Sequence, residues 1–208
     1  MSDGRSAFEK RAAVSRETME RLDAIVEQLR IWQQRINLVA PSTVSEVWTR
    51  HVGDSWQLLA LAPDARLWVD LGSGGGFPGL VVAAALVDRG GSIHLVESNN
   101  KKAAFLRECA RIAGLPVKVH AKRIEEFAAS FAEAPDIVSA RALAPMDKLL
   151  DYVEPFLKKG AQALLPKGQD VEQELTQAAI SWHIDAELVP SVIEPHAKIV
   201  RVLNARRR

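Results

Sequence analysis

Cysteine is nearly absent. Cys109 is the one thiol in 208 residues, which excludes an internal disulfide framework and any zinc site built on cysteine. No stretch approaches the ~18 consecutive apolar residues of a membrane helix. The segment from Met1 to Arg16 carries too many charges for a secretory signal. A soluble protein of a reducing, cytoplasmic compartment is therefore expected; a monomer is expected as well, though none of these absences bears on it. An excess of one charge is also missing, with 27 Lys and Arg against 26 Asp and Glu, so the chain is not indiscriminately basic. Internal repeats, low-complexity tracts and linkers are lacking, and the five histidines show no metal-ligand spacing. What remains is an ordinary globular composition, 48% apolar and 25% charged. A domain of this size buries roughly 70% of the surface of its unfolded chain, enough for a full core.

The balanced total conceals an uneven distribution. Ser98 to Arg123 carries seven Lys and Arg against Glu108 alone, a net of +6. His196 to Arg208 carries five and no acid, whereas Val171 to Pro195 carries five acids and no Lys or Arg. These blocks fit solvated helix faces and a frayed basic tail, and they equally fit one face that meets a polyanion.

Two helical patterns come first, at Leu22, Ile25, Val26, Leu29, Trp32 and Ile36, and at Val44, Val47, Trp48, Val52, Trp56 and Leu59. From Leu67 the texture changes to short apolar runs, 67–71, 93–96, 117–120, 137–140 and 161–165. They alternate with helical patterns at 80–87, 101–113, 124–131, 146–157 and 171–180. Gly114 stands where a helix C-terminus needs a left-handed residue. Two last alternating runs, 183–189 and 199–203, have no helix between them. The pattern predicts an α/β fold: a seven-stranded, mostly parallel sheet with helices on both faces and a C-terminal antiparallel hairpin. Residues 1–62 are expected as an N-terminal helical extension and 63–208 as the α/β domain.

Between the first strand and the first crossover helix lies Asp70-Leu71-Gly72-Ser73-Gly74-Gly75-Gly76-Phe77-Pro78-Gly79, the place where a doubly wound sheet binds nucleotides. Its letters fit two cofactor classes, Gly74-x-Gly76-x-x-Gly79 a dinucleotide and Asp70-x-Gly72-x-Gly74-x-Gly76 S-adenosylmethionine (SAM). Asp70 separates them, because a carboxylate at that turn complements a sulfonium and an ammonium but repels a pyrophosphate. Glu97, ending the second strand, suits ribose hydroxyls in either class. Ile124 could cover an adenine and Glu125 hold its amine, although acids also favour the first turn of any helix.

Arg141 follows the fourth strand and Lys167 the fifth, two cations on the rim over which a SAM methyl group would point. Together they favour an anionic substrate. Neither an Asn-Pro-Pro-Tyr or Asp-Pro-Pro-Tyr tetrapeptide nor a Pro-Cys nucleophile is present. The acceptors that remain have a free lone pair, such as guanine N7 or a ribose oxygen. His51, near Asp54 and Ser55, reads as a satisfied polar helix residue. Two other readings compete, an NAD(P)-dependent oxidoreductase and a non-catalytic RNA-binding module. The first lacks a hydride-handling Tyr-Lys pair, and the intact Asp70, Glu97, Arg141 and Lys167 tell against the second.

Arg35-Ile36-Asn37-Leu38, Arg50-His51-x-x-Asp54-Ser55, the glycine loop with Gly76-Phe77-Pro78-Gly79, Lys102-x-x-Phe105-Leu106-Arg107, Arg123-x-Glu125-Glu126, Ser139-x-Arg141-Ala142 and Lys167-Gly168 resemble the glucose-inhibited division protein B family. That family comprises the bacterial 16S ribosomal RNA guanine-N7 methyltransferases, and the likeness spans nearly the whole chain. Val39 and Ile124 depart from it, where the family often has Thr and Ala. The resemblance implies a class I, Rossmann-like SAM-dependent fold. It also implies a cofactor site lined by Gly72, Phe77, Ile124, Glu125 and Arg141, beside Asp70, Gly74 and Glu97 from the loop reading. Arg123, Arg141 and Lys167 become candidates for holding 16S rRNA, free or within the small subunit, with Arg141 and Lys167 acting in catalysis.

Overall fold

The computed structural model describes residues 2–208. Strands β1 (Leu67–Leu71), β2 (Ser92–Val96), β3 (Val117–His120), β4 (Ile137–Ala140), β5 (Gln162–Lys167), β6 (Trp182–Pro190) and β7 (Lys198–Arg207) form one sheet in the order β3-β2-β1-β4-β5-β7-β6. The first five run parallel, and β7 is antiparallel to both β5 and β6. Strands covered on both faces need no polar side, so β1 and β4 are buried almost throughout. β6 starts at buried Trp182 and then largely alternates between exposed and partly buried residues, as one-sided antiparallel strands do. The basic C-terminal residues are therefore not a frayed tail. They complete β7, where Arg207 stacks over Trp182 and pairs with Asp151 at 2.5 Å.

Helices α5 (Gly79–Arg89) and α6 (Asn100–Ile112) cover one face of the sheet; α7 (Ile124–Ser130), α8 (Met146–Leu157) and α9 (Val171–Ala178) cover the other. Asn99 caps α6 by accepting the Lys101 and Lys102 N–H groups. Gly114 ends it in the left-handed conformation (φ 61°), with Leu115 N–H reaching back to the Ala110 carbonyl, the Schellman arrangement.

The N-terminal segment differs from its sequence pattern. The first helical stretch forms α2 (Arg16–Gln33), capped by the Ser15 hydroxyl. An unforeseen α1 (Ser2–Ala12) precedes it; its apolar content is too thin to show periodicity, yet buried Phe8 packs on Trp48 and Trp56. The second stretch is broken into a tight turn at Pro41–Thr43, a wide π-turn at Trp48–Gly53, and the short α3 (Asp54–Trp56) and α4 (Leu58–Leu61). The wide turn keeps Trp48, Val52 and Ser55 buried. Such turns occur frequently at functional sites. Leu22, Ile25, Val26 and Leu29 of α2 belong to one buried cluster with α5 and α6, and Trp32 meets Phe105 edge-on at 5.9 Å.

Because Phe8, the buried face of α2 and the stretch 48–59 share that cluster with the sheet-covering helices, they are expected to unfold with it. Leu22→Ala, at a fully buried position, should cost about 2–5 kcal/mol. Urea melts followed by tryptophan fluorescence and by circular dichroism should shift together; a separate early transition would mark an independent N-terminal unit.

Candidate functional site

β1 lies between β2 and β4, so successive crossovers leave it in opposite directions. A crevice opens at the carboxyl ends of the strands at that switch point. The cavity there is about 960 Å³, at the upper end of small-molecule sites. Gly72, Gly74, Phe77, Glu97, Ile124, Glu125, Arg123, Arg141 and Lys167 all lie on its wall.

Gly72 holds φ 65°, and a Cβ on it would stand 2.6 Å from Leu143 Cδ1. Gly75 meets the chain entering from α2: a Cβ there would lie 2.8 Å from the Leu38 carbonyl oxygen. Gln33 holds that entering strap in place, accepting the Leu38 and Val39 N–H groups and donating to the Val39 carbonyl. Glu97 fixes the loop from the other side, accepting N–H bonds from Gly74 at 2.9 Å and Asn99 at 2.7 Å.

Asp70 does not face the cavity, which corrects the expectation that its carboxylate meets a cofactor directly. Side chains alternate along a strand, and Asp70 points to the same face as Trp68, beneath the start of α5. It is 1% exposed, it accepts a hydrogen bond from the Ser139 hydroxyl at 2.7 Å, and that hydroxyl accepts from Trp68 Nε1. A Cβ on Gly79 would come within 2.7 Å of Asp70 Oδ2. Burial pushes the Asp70 carboxyl up to about 6, against the hydrogen bond from Ser139. Its negative charge lies at the amino end of α5, where the helix dipole favours it.

Arg141 stands at the centre of the wall. Its guanidinium donates to Asp54 Oδ2 at 3.0 Å, to the Arg50 carbonyl and to His51 Nδ1 at 3.0 Å, and it lies 5.5 Å from the centroid of the Phe77 ring. His51 in turn stacks on Phe77 at 5.0 Å. A guanidinium only donates, so Nδ1 is the bare nitrogen and Nε2–H points to the Thr43 hydroxyl, which donates to the Ala40 carbonyl. Burial first, then the charges of Arg141 and Arg50, hold His51 down at about 4. His51 is thus satisfied, as expected, but by the residue that carries the site. Ala142, next in the chain, has φ 51°, a strained setting for a residue with a side chain.

Lys167 is nearly enclosed and pairs with Glu174 at 2.5 Å, while Arg123 and Glu125 are exposed at the amino end of α7. Thr43 and Glu174 on the wall, and Gln33 holding the strap behind it, were not legible in the sequence. His51 and Asp54 carried one signal, a spacing of one helical turn. The described residues contain no cluster of His, Cys, Asp and Glu able to hold a metal ion, and no helix among them is long and apolar enough to cross a membrane.

A family model described as GidB, rRNA small subunit methyltransferase G, matches residues 18–203. A Methylobacterium radiotolerans protein named ribosomal RNA small subunit methyltransferase G is 54% identical over 191 residues, covering 92% of this chain and 90% of that protein. One of the same name from Nitrobacter hamburgensis is 52% identical over 209 residues, covering 98% and 80%. Among solved structures, the SAH-bound methyltransferase PaMTH1 of Podospora anserina matches with a TM-score of 0.62 at 16% identity, covering 86% of this chain and 88% of that one. A Bacillus cereus O-methyltransferase in complex with SAH gives 0.58 at 18%, covering 86% and 90%. These structures share the class I methyltransferase fold.

Between pH 6.5 and about 4, unfolded His51 binds protons that the folded form refuses, so its contribution to stability falls on acidification through that window. Asp70 works the other way: its raised value favours the folded state below about 6 and loses that advantage as pH rises from 3.8. His51→Gln should therefore flatten the acid-side loss of stability, read from urea midpoints at pH 4.5 and 7. An unchanged slope would contradict a neutral His51.

Proposed function

Because the chain belongs to the GidB family of rRNA small subunit methyltransferases, we propose how its own residues carry the reaction of that family. The chain transfers a methyl group from SAM to N7 of a guanine in 16S rRNA. The cavity fits the donor: a glycine loop whose positive φ values and close contacts leave no room for side chains, with a carboxylate behind it at the end of β2. Bound there, SAM supplies an electrophilic methyl group on a sulfonium.

Gly72, Gly74 and Phe77 form the floor of the donor site. Glu97 has both carboxylate oxygens on backbone N–H groups, which aims the remaining lone pairs at the ribose hydroxyls. Ile124 covers the adenine and Glu125 lies at its amine edge. Asp70 is a positioning residue that holds Gly79 and the start of α5 from below. Arg141 keeps unspent N–H donors after binding Asp54, His51 and Arg50, and these meet the methionine carboxylate or the incoming nucleotide.

Guanine N7 presents an unprotonated lone pair, so attack needs no general base and no proton moves. The S–CH3 bond breaks as the N7–C bond forms, and the positive charge passes from sulfur to the purine. His51 is unsuited to base catalysis in any case, since its free lone pair is spent on Arg141. The protein's work is alignment and exclusion of water, worth up to ~7–11 kcal/mol when the reacting atoms are held in near-attack geometry. The acceptor must be unpaired or splayed out, because a stacked base hides its edge. The exposed Arg123, with Lys122 beside it and Lys102 from the start of α6, lines the cavity and holds phosphates. We place this activity in the cytoplasm, with a monomer acting on free 16S rRNA or an assembling small subunit.

The match over residues 18–203, joined to a cavity at the switch point, carries this reading. Transfer of labelled methyl from SAM to unmethylated 16S rRNA, mapped to guanine N7, tests it; absence of transfer to rRNA in either form would sink it. Arg141→Lys keeps the charge but loses the planar fork, and turnover should fall about 100-fold, with the fold retained by circular dichroism and the melting temperature lowered. Arg123→Ala should weaken RNA binding and reduce the log–log salt slope by roughly 0.7–0.9, leaving turnover at saturating RNA intact. Filter-binding titrations across salt read the slope directly.

A further inference from the structure

Lys167 closes β5, two strands from the glycine loop and beyond Arg141, which follows β4. Its ammonium is held by Glu174 Oε2 at 2.5 Å and by the Ala144 carbonyl at 3.2 Å. An ammonium has three donors, so one is left over. Glu174 Oε2 also accepts the Met146 N–H at 2.8 Å, while its Oε1 takes no hydrogen bond among the described residues. The side chains are 10% and 29% exposed, and both residues lie on the cavity wall. A spare donor and a spare acceptor thus sit side by side, fixed by backbone contacts on both partners.

The other carboxylates of the wall are engaged, given to the donor, or loose, as the exposed Glu125 at the start of α7 is. Asp54 accepts from Gln57 and Arg141, one at each oxygen. Glu97 accepts from Asn99 and Gly74 in the same way. Glu194 meets Arg50 at 3.8 Å with both side chains more than 40% exposed, too free to impose a direction.

Guanine offers an acceptor, O6, next to two donors, N1–H and N2–H. Adenine offers the reverse at the same positions, an amine next to the bare N1. An ammonium against a carboxylate matches the first order and opposes the second. We propose that Lys167 and Glu174 together read the Watson–Crick edge of the acceptor guanine, Lys167 donating to O6 and Glu174 accepting from N1–H and N2–H. N7, on the neighbouring edge, stays free to attack. Glu174 is then a specificity residue, reached from α9 on the acidic stretch that the sequence offered as solvated surface. This assignment rests on the methyl-transfer reading above.

The test uses 16S rRNA ligated to carry either guanosine or inosine at the acceptor position. Inosine keeps N7, O6 and N1–H but lacks the 2-amino group. The wild type should favour guanosine in kcat/KM by on the order of tenfold. Glu174→Gln should lose activity on guanosine and lower that preference towards one, with melting temperature and SAM affinity unchanged; a helix-capping role alone would leave the ratio as it was. Equal wild-type rates on the two RNAs overturn the proposal even if the variant fails to fold, and so does an unaltered preference in a folded Glu174→Gln. Transfer to neither RNA by the wild type overturns the methyl-transfer reading itself, and the assignment falls with it.

Discussion

The guanidinium of Arg141 is the tie on which the site depends. It joins β4 to the N-terminal segment through Asp54, His51 and the Arg50 carbonyl, and it rests against Phe77 of the glycine loop. Removing a charge from water costs several kcal/mol unless good partners replace the solvent. Here the Asp54 carboxylate supplies the opposite charge at 3.0 Å, and both side chains are less than one-fifth exposed. The arrangement explains why the N-terminal segment is built onto the sheet rather than tethered to it: its residues from Leu38 to Gln57 deliver one side of the wall around the cavity.

A second buried charge acts from below. Asp70 underpins the bend that it was expected to guard, with Ser139 and Trp68 fixing one oxygen and the amino end of α5 near the other. The selectivity argument built on its carboxylate therefore changes form. Its carboxylate shapes the loop from behind, while Glu97, Arg141 and the loop itself line the cavity.

The parallel sheet was legible because strands buried on both faces leave short apolar runs, and β1, β3 and β4 start and stop where those runs do. The glycine loop was legible because positive φ and close approach restrict Gly72 and Gly76 to one residue type. The N-terminal segment was not, because Val44 to Leu59 keeps the same apolar spacing whether the chain forms one helix or a π-turn between short pieces. Glu174 was hidden differently. Its partner Lys167 is supplied by another element, and no local pattern announces a pair assembled by tertiary packing. Asp70 shows a third limit, since the sequence gives a strand residue's neighbours but not which face it takes.

Ala142 follows Arg141 with a backbone angle that a glycine would adopt freely, at a cost of order 1–3 kcal/mol. The methyl group narrows the hinge at the base of the key side chain. A more relaxed residue would steady the folded state and slacken the aim of the guanidinium, so local ease and a fixed Arg141 pull against each other at this one peptide. Schemes that harden the protein by easing its strained angles would loosen that hold.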